Sequence, residues 1–250
     1  ALDVYLGGVL GWGVIGIAWG TVLSEWIVAG ISLAVALQIL KRHQRQQPEP
    51  TPFWTWRGLC ESRRLLAAIS ANRDILLRTL FLLIGFGWFT RQGAQFGDEA
   101  LAANHILLQL IMFSAFFLDG FAFVTESLVG KAVGRKNLAE FDRVLRLSIE
   151  LSGLTALSLA VLTLFPGGWA IRALSDNAVV VELALDYRYL AAVYMALSFA
   201  AYQLDGVFVG ATKGAAMRDA SLISLLIYLA SWWMLKGDGN AGLWAAFTIY

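Results

Sequence analysis

An all-helical protein integral to a membrane is the fold class the sequence predicts, and three observations lead there. Hydrophobic residues make up 58% of the 250-residue chain, with a mean hydropathy of +0.66. Soluble domains run nearer about 45–50% apolar. Several apolar runs reach the roughly 20 residues needed to cross about 30 Å of hydrocarbon. In lipid every backbone N–H and C=O must be bonded internally, which leaves only helices or a closed barrel. The runs are too continuously apolar for barrel strands, which alternate over about 10 residues. The third observation is chemical. The apolar run from Ala100 to Val129 carries Asp119 and Glu126, and an ionised side chain in hydrocarbon costs at least about 2.5–3.5 kcal/mol. Such residues face protein or water and mark ion or substrate paths, so transport is the leading functional reading.

In chain order, the apolar runs place six spans at 13–40, 74–96, 100–130, 144–166, 179–211 and 217–235, and the first turns of a seventh from 241. Between the first and second spans lies the only long polar stretch, Lys41 to Asn72. It opens with Lys41, Arg42, His43 and Arg45 and holds three of the four prolines, Pro48, Pro50 and Pro52. That is linker composition. Phe53-Trp54-Thr55-Trp56 suits an aromatic anchor at headgroup level, and residues 57–71 read as a short amphipathic helix lying on the membrane. Basic residues between the spans and in their end portions set the orientation. Lys41, Arg42, Arg45, Arg57, Arg63, Arg64, Arg73, Lys131, Arg135, Lys136, Arg143, Arg146, Lys213 and Arg218 fall on one side, against Arg91, Arg172, Arg188 and Lys236 on the other. The positive-inside rule makes the richer side, with the linker, cytoplasmic.

The net charge of +1 gives no sign of a nucleic-acid partner. The single Cys60 excludes an intramolecular disulfide and any cysteine-based metal cluster. The chain opens on Ala1 rather than Met, shows no signal peptide, and ends in what reads as a span cut after its first turns, so a truncated membrane segment is expected.

Asp119 and Glu126 are seven residues apart, which puts them within about 20° on one helix face and roughly 10 Å apart along the axis. His105 and Met112 extend the same stripe. Asp119 reads as a protonatable group that takes up and releases protons, or as a hydrogen-bond acceptor between helices. Glu126 is a second candidate, or it meets Lys131 or water. His105 belongs to the stripe or is an interfacial histidine with no role. In the fifth span Asp205 follows Tyr202, Ser198 and Tyr194, which give one polar face. A carboxylate with a tyrosine one turn away can hold a proton or a monovalent cation; the alternative is an ion pair with Lys213. Glu25, with Thr21 one turn before it, is a candidate at the middle of the first span. Glu150 pairs with Arg146, and Arg91 reaches outward to Asp98 or Glu99. Leu118-Asp119-Gly120-Phe121-Ala122-Phe123 is echoed by Leu204-Asp205-Gly206-Val207-Phe208-Val209, a faint internal repeat of a kind common in secondary transporters.

Enzymatic motifs find no support. The chain has no His-Glu-x-x-His, no Gly-x-Ser-x-Gly and no P-loop. No metal or cofactor is expected, and any energy source is an ion gradient, of protons or sodium ions, or a partner.

Three runs carry a resemblance: Asn72-Arg73-Asp74-Ile75-Leu76-Leu77-Arg78-Thr79-Leu80, Gly97-Asp98-Glu99-Ala100-Leu101-Ala102-Ala103-Asn104-His105, and Leu118-Asp119-Gly120-Phe121-Ala122-Phe123 with Glu126-Ser127-Leu128-Val129-Gly130. With Gly13-Val14-Ile15-Gly16 at the start of the first span, they resemble the multidrug and toxic compound extrusion (MATE) family, in its branch of DNA-damage-inducible protein F. The resemblance implies twelve helices in two six-helix lobes around a central cavity. Residues 1–40 would then end the first lobe with helix six, 41–72 would be the cytoplasmic inter-lobe linker, and 73–250 would form helices seven to eleven with a truncated twelfth. It implies export of amphipathic or cationic organic compounds in exchange for protons or sodium ions, across a bacterial inner membrane, with membrane lipid and the missing first-lobe helices as partners. By helix, Asp205 matches the carboxylate of the sodium-coupled branch. That branch also uses an acid on helix seven, and here none lies between Asp74 and Asp98. Two rivals are a lipid-linked sugar flippase of the same superfamily, which needs a strongly cationic cavity, and a truncated fragment that transports nothing.

Overall fold

The computed structural model describes residues 2–45 and 62–250. Half of the expected linker, residues 46–61, with the proline cluster and the aromatic anchor, lies outside the described residues. The described residues are helical, without strands. They divide into two units, Ala1–Arg64 and Leu65–Tyr250.

The first unit is one long helix, α1 (Gly13–Arg45), with a short helical stretch before it. That stretch folds back on α1 where Gly16 leaves no side chain: a Cβ there would lie 2.5 Å from the Leu6 carbonyl.

The second unit holds seven helices: α2 (Ser62–Gly93), α3 (Asp98–Gly134), α4 (Leu138–Leu164), α5 (Gly167–Leu174), α6 (Ala178–Gly210), α7 (Gly214–Leu235) and α8 (Gly239–Ile249). The surface helix expected over 57–71 does not stand apart. From Ser62 onward those residues are the first turns of α2. The reason is local: neither Gly nor Pro occurs between Ser62 and Gly85, and Leu, Ala and Arg favour helix. The short α5, which starts directly after Pro166, is not legible in the apolar runs because it lies between the expected spans.

Five stretches are long and apolar enough to cross a membrane by length and composition: Gly13–Arg42, Asp98–Gly134, Leu138–Leu164, Ala178–Gly210 and Gly214–Ile249. The expected six spans and a stub are thus five by this measure. Charges at both ends of α2 (Arg73, Asp74, Arg78 and Arg91) dilute its apolar run, and α7 and α8 read as one stretch across the turn Lys236–Asp238.

Helix α6 is central, packing on α3, α4, α7 and α8. The expected terminal stub is among the best-buried elements: Leu243, Trp244, Ala246 and Phe247 of α8 are fully covered. Phe89 of α2 packs on Trp244 and Phe247 with ring centroids 4.9 and 4.6 Å away. Tyr194 of α6 stacks on Phe247 at 5.1 Å. The Tyr250 hydroxyl donates to the Phe81 carbonyl at 3.0 Å.

Polar pins join the helices. Asn104 of α3 and Asn240 of α8 exchange two amide hydrogen bonds at 2.7 and 3.0 Å, and Trp244 Nε1 donates to Asn104 Oδ1 at 2.8 Å. Buried amides must be paired, and this knot satisfies both. Thr125 of α3 donates to Gln203 Oε1 of α6 at 2.7 Å. At the other end of α2, Asp74 accepts from Arg218 of α7 at 2.7 Å and from its neighbour Arg73 at 3.2 Å.

Candidate functional site

A close helix crossing in the second unit positions the candidate site. Helices α3 and α6 touch backbone to backbone. A Cβ on Gly206 would lie 2.4 Å from the Ala122 carbonyl, and one on Gly210 would lie 2.4 Å from the Glu126 carbonyl. Gly206 and Gly210 are four apart, so they form one groove on α6, the small-residue geometry that lets membrane helices approach closely. Asp205 immediately precedes the first of these glycines. Asp119 is three residues before Ala122, on the facing helix. The seam therefore carries both carboxylates toward each other, and Glu126 with them.

The third side of the site comes from α2. Arg78 Nη2 donates to Asp205 Oδ1 at 2.7 Å, and the two side chains are 26% and 31% exposed. Asp119 lies within electrostatic reach of Arg78, and Asp205 within reach of Asp119 and Glu126. Tyr202, three residues before Asp205 on α6, lies within electrostatic reach of Asp119, Arg78 and Asp205. Arg stays protonated under all accessible conditions. One fixed cation thus stands among three carboxylates, and full neutrality there requires bound protons or further cations. Carboxylates held inside membrane helices mark ion or substrate paths.

The candidate residues sort as follows. Asp119, Glu126, Asp205 and Tyr202 come together, each half-buried. Tyr194 belongs to the aromatic core under α8, and Ser198 Oγ donates to the carbonyl of Met195 on its own helix at 3.0 Å. His105 is exposed higher on α3, its Nε2 3.5 Å from Gln109 Nε2. Glu25 is exposed on α1 in the first unit, and the Thr21 hydroxyl donates to the Ile17 carbonyl at 3.2 Å. Asp205 pairs with Arg78 rather than with Lys213, which is exposed at the start of α7. Arg91 lies over the Trp88 ring, 5.8 Å from its centroid, instead of bridging to Asp98 or Glu99. Among the described residues no ion pair joins Arg146 to Glu150.

Sequence reasoning missed Arg78 as a site residue, although a lone charge in the otherwise apolar run 75–89 is the same kind of signal that singled out Asp119. It also missed the Asn104–Asn240–Trp244 knot, which two amides in apolar runs could have flagged.

The family model MatE matches residues 75–234. Over its whole length the chain is 34% identical to DNA damage-inducible protein F of Escherichia coli (strain K12), of which it covers 53%. It is 31% identical over 170 residues to the Deinococcus radiodurans protein named "Probable multidrug resistance protein NorM", covering 62% of this chain and 36% of that one. Among solved structures, the outward-facing conformation of a multidrug resistance MATE family transporter of the MOP superfamily superposes with a TM-score of 0.81 over 99% of this chain and 55% of that one. At 19% identity this is a likeness of fold. The chain spans about half the length of the first of these relatives and about a third of the second.

Proposed function

Because the chain belongs to the MatE family of multidrug and toxic compound extrusion proteins, we propose that it forms the second lobe of a secondary transporter exporting amphipathic or cationic organic compounds in exchange for protons. The observation that carries the reading is the cluster of Asp119, Glu126 and Asp205 around Arg78, an acidic excess held between membrane helices. In this reading Asp119 and Glu126, which have no ion pair among the described residues, carry the exchangeable positive charge. A proton on Asp119 and an organic cation beside it are alternatives, since each neutralises the same carboxylate. Alternating access moves one lobe against the other around such a site. The relatives' names, a multidrug resistance protein among them, support this class of substrate. The membrane is taken to be a bacterial inner membrane, crossed several times.

The flippase alternative is weaker, because a pocket for a pyrophosphate headgroup calls for surplus cations and this cluster has surplus acids. Exchange for sodium is the second reading. Asp205 supports it as an oxygen ligand, and Arg78 opposes it by occupying that ligand.

The test is reconstitution. Liposomes holding the whole two-lobe transporter, acidified on the side from which protons enter, should expel a fluorescent organic cation. Liposomes holding residues 1–250 alone should not. Efflux by residues 1–250 alone would overturn the two-lobe reading, and gradient-independent efflux by the whole transporter would overturn proton exchange.

A further inference from the structure

The exchange reading leaves one member of the cluster without a task. Arg78 brings a permanent positive charge against α6, a helix long and apolar enough to cross a membrane, which is costly unless something requires it. Its partner choice is informative. Asp74 lies four residues earlier on α2, the spacing at which a helical acid supports a base one turn on. Yet Asp74 is held by Arg218 at 2.7 Å and by Arg73 at 3.2 Å. Arg78 instead crosses to α6 and takes Asp205 Oδ1 at 2.7 Å. Both side chains keep about a quarter to a third of their surface open, so the pair borders the space where a diffusing cation would arrive. Around it stand Asp119, Glu126 and the Tyr202 phenol, all oxygen donors. Without the guanidinium, this is an acid-rich group of oxygen donors of the kind that suits a hard monovalent cation.

We propose that Arg78 is a tethered competitor, a built-in monovalent cation that occupies Asp205 and keeps small ions such as sodium out of the cluster. The inference rests on the exchange reading and deepens it by naming the residue that sets cation specificity. Tethering gives the guanidinium a high local concentration that a free ion must outcompete. Its planar fork matches a carboxylate, whereas a sodium ion must shed water to bind the same oxygen. Asp119 and Glu126, off the guanidinium, remain open to a proton or to an organic cation that binds partly through its apolar body. Arg78 is thus a specificity residue, acting through Asp205, and it does not itself carry the exchanged charge.

The experiment reads ion binding and needs no transport. The chain is purified in detergent micelles, and thermal unfolding is followed in sodium chloride and in choline chloride at equal ionic strength. The wild-type protein should melt at the same temperature in both. Arg78→Gln should melt higher in sodium, by about 2–4 °C for a single weak site near saturation. Arg78→Lys, which keeps a tethered cation, should behave as wild type, and Arg78→Gln combined with Asp205→Asn should lose the sodium response. A purely structural ion pair would lower the melting temperature equally in both salts. A sodium response in the wild type, or none in a folded Arg78→Gln, overturns the proposal. Should Arg78→Gln misfold, Arg78→Met keeps the aliphatic stem and is read the same way. Misfolding of both variants, unrelieved by sodium, would also overturn it and make Arg78 a structural pin. Absence of proton-driven efflux in the whole transporter would count against the exchange reading and leave these binding results standing.

Discussion

Replacing Gly206 by alanine should part the two helices that assemble the site. The new Cβ would sit 2.4 Å from the Ala122 carbonyl oxygen and 3.1 Å from the Ala122 Cα. Ordinary contact begins near 3.4 Å, so α3 and α6 must separate by about 1 Å, since backbone cannot rotate away as a side chain can. Forcing extra atoms into a packed seam costs about 1–3 kcal/mol. The same shift would stretch the 2.7 Å bond from Thr125 to Gln203 past hydrogen-bonding range. Gln203 is 1% exposed, and its Nε2 has no hydrogen-bond partner among the described residues. Stranding its oxygen adds about 1–3 kcal/mol. Together the change should cost about 2–6 kcal/mol, a large share of the roughly 5–15 kcal/mol that holds a typical fold. Gly120 is the internal control. It follows Asp119 as Gly206 follows Asp205, but a Cβ there meets nothing within 4 Å. Gly120→Ala should be neutral or stabilise by up to about 1 kcal/mol. Unfolding of each variant in mixed micelles, titrated with a denaturing detergent and followed by helix circular dichroism, measures the difference. Equal stability of the two variants, within about 0.5 kcal/mol, would refute the backbone-contact argument.

Asn104→Leu should cost about 1–3 kcal/mol by the same assay, because it leaves the Asn240 amide and the Trp244 N–H buried without partners; adding Asn240→Leu should recover part of the loss. Lys213→Gln should change stability by less than about 0.5 kcal/mol, whereas Asp205→Asn, which strands the Arg78 charge, should be clearly destabilising. Indistinguishable effects would return Lys213 to the role of partner. With Cys60 replaced by serine, a cysteine at Lys136, in the turn after α3, should resist an impermeant thiol reagent added outside intact cells. One at Gly237, in the turn after α7, should react. The reverse pattern would invert the topology read from the basic residues.

Much of the fold was legible because membrane helices announce themselves by length and apolarity. The expected limits of 100–130 and 179–211 sit close to the observed α3 and α6. The start of α2 was not legible, since a polar first turn reads equally well as a surface helix. Nor was the depth of α8: eleven residues cannot reveal that Phe89, Tyr194 and Tyr228 close over them. At the site, periodicity put Asp119 and Glu126 on one face and tied Asp205 to Tyr202, because those are relations within a single helix. Which helices meet is a relation between distant segments. The echoed Leu-Asp-Gly runs hinted at it, but only the structure shows that Gly206 is pressed against backbone while Gly120 is open, and that Arg78 reaches Asp205.

If the acidic cluster carries the exchanged charge, Asp119→Asn must disable exchange. The amide keeps the shape of the carboxyl and cannot exchange a proton. Efflux of a fluorescent organic cation from cells carrying the whole transporter, measured from pH 6 to 8 against matched expression, should fall sharply in the variant and lose its dependence on pH. Efflux equal to wild type across that range would contradict the claim and leave Asp119 a structural acceptor between helices.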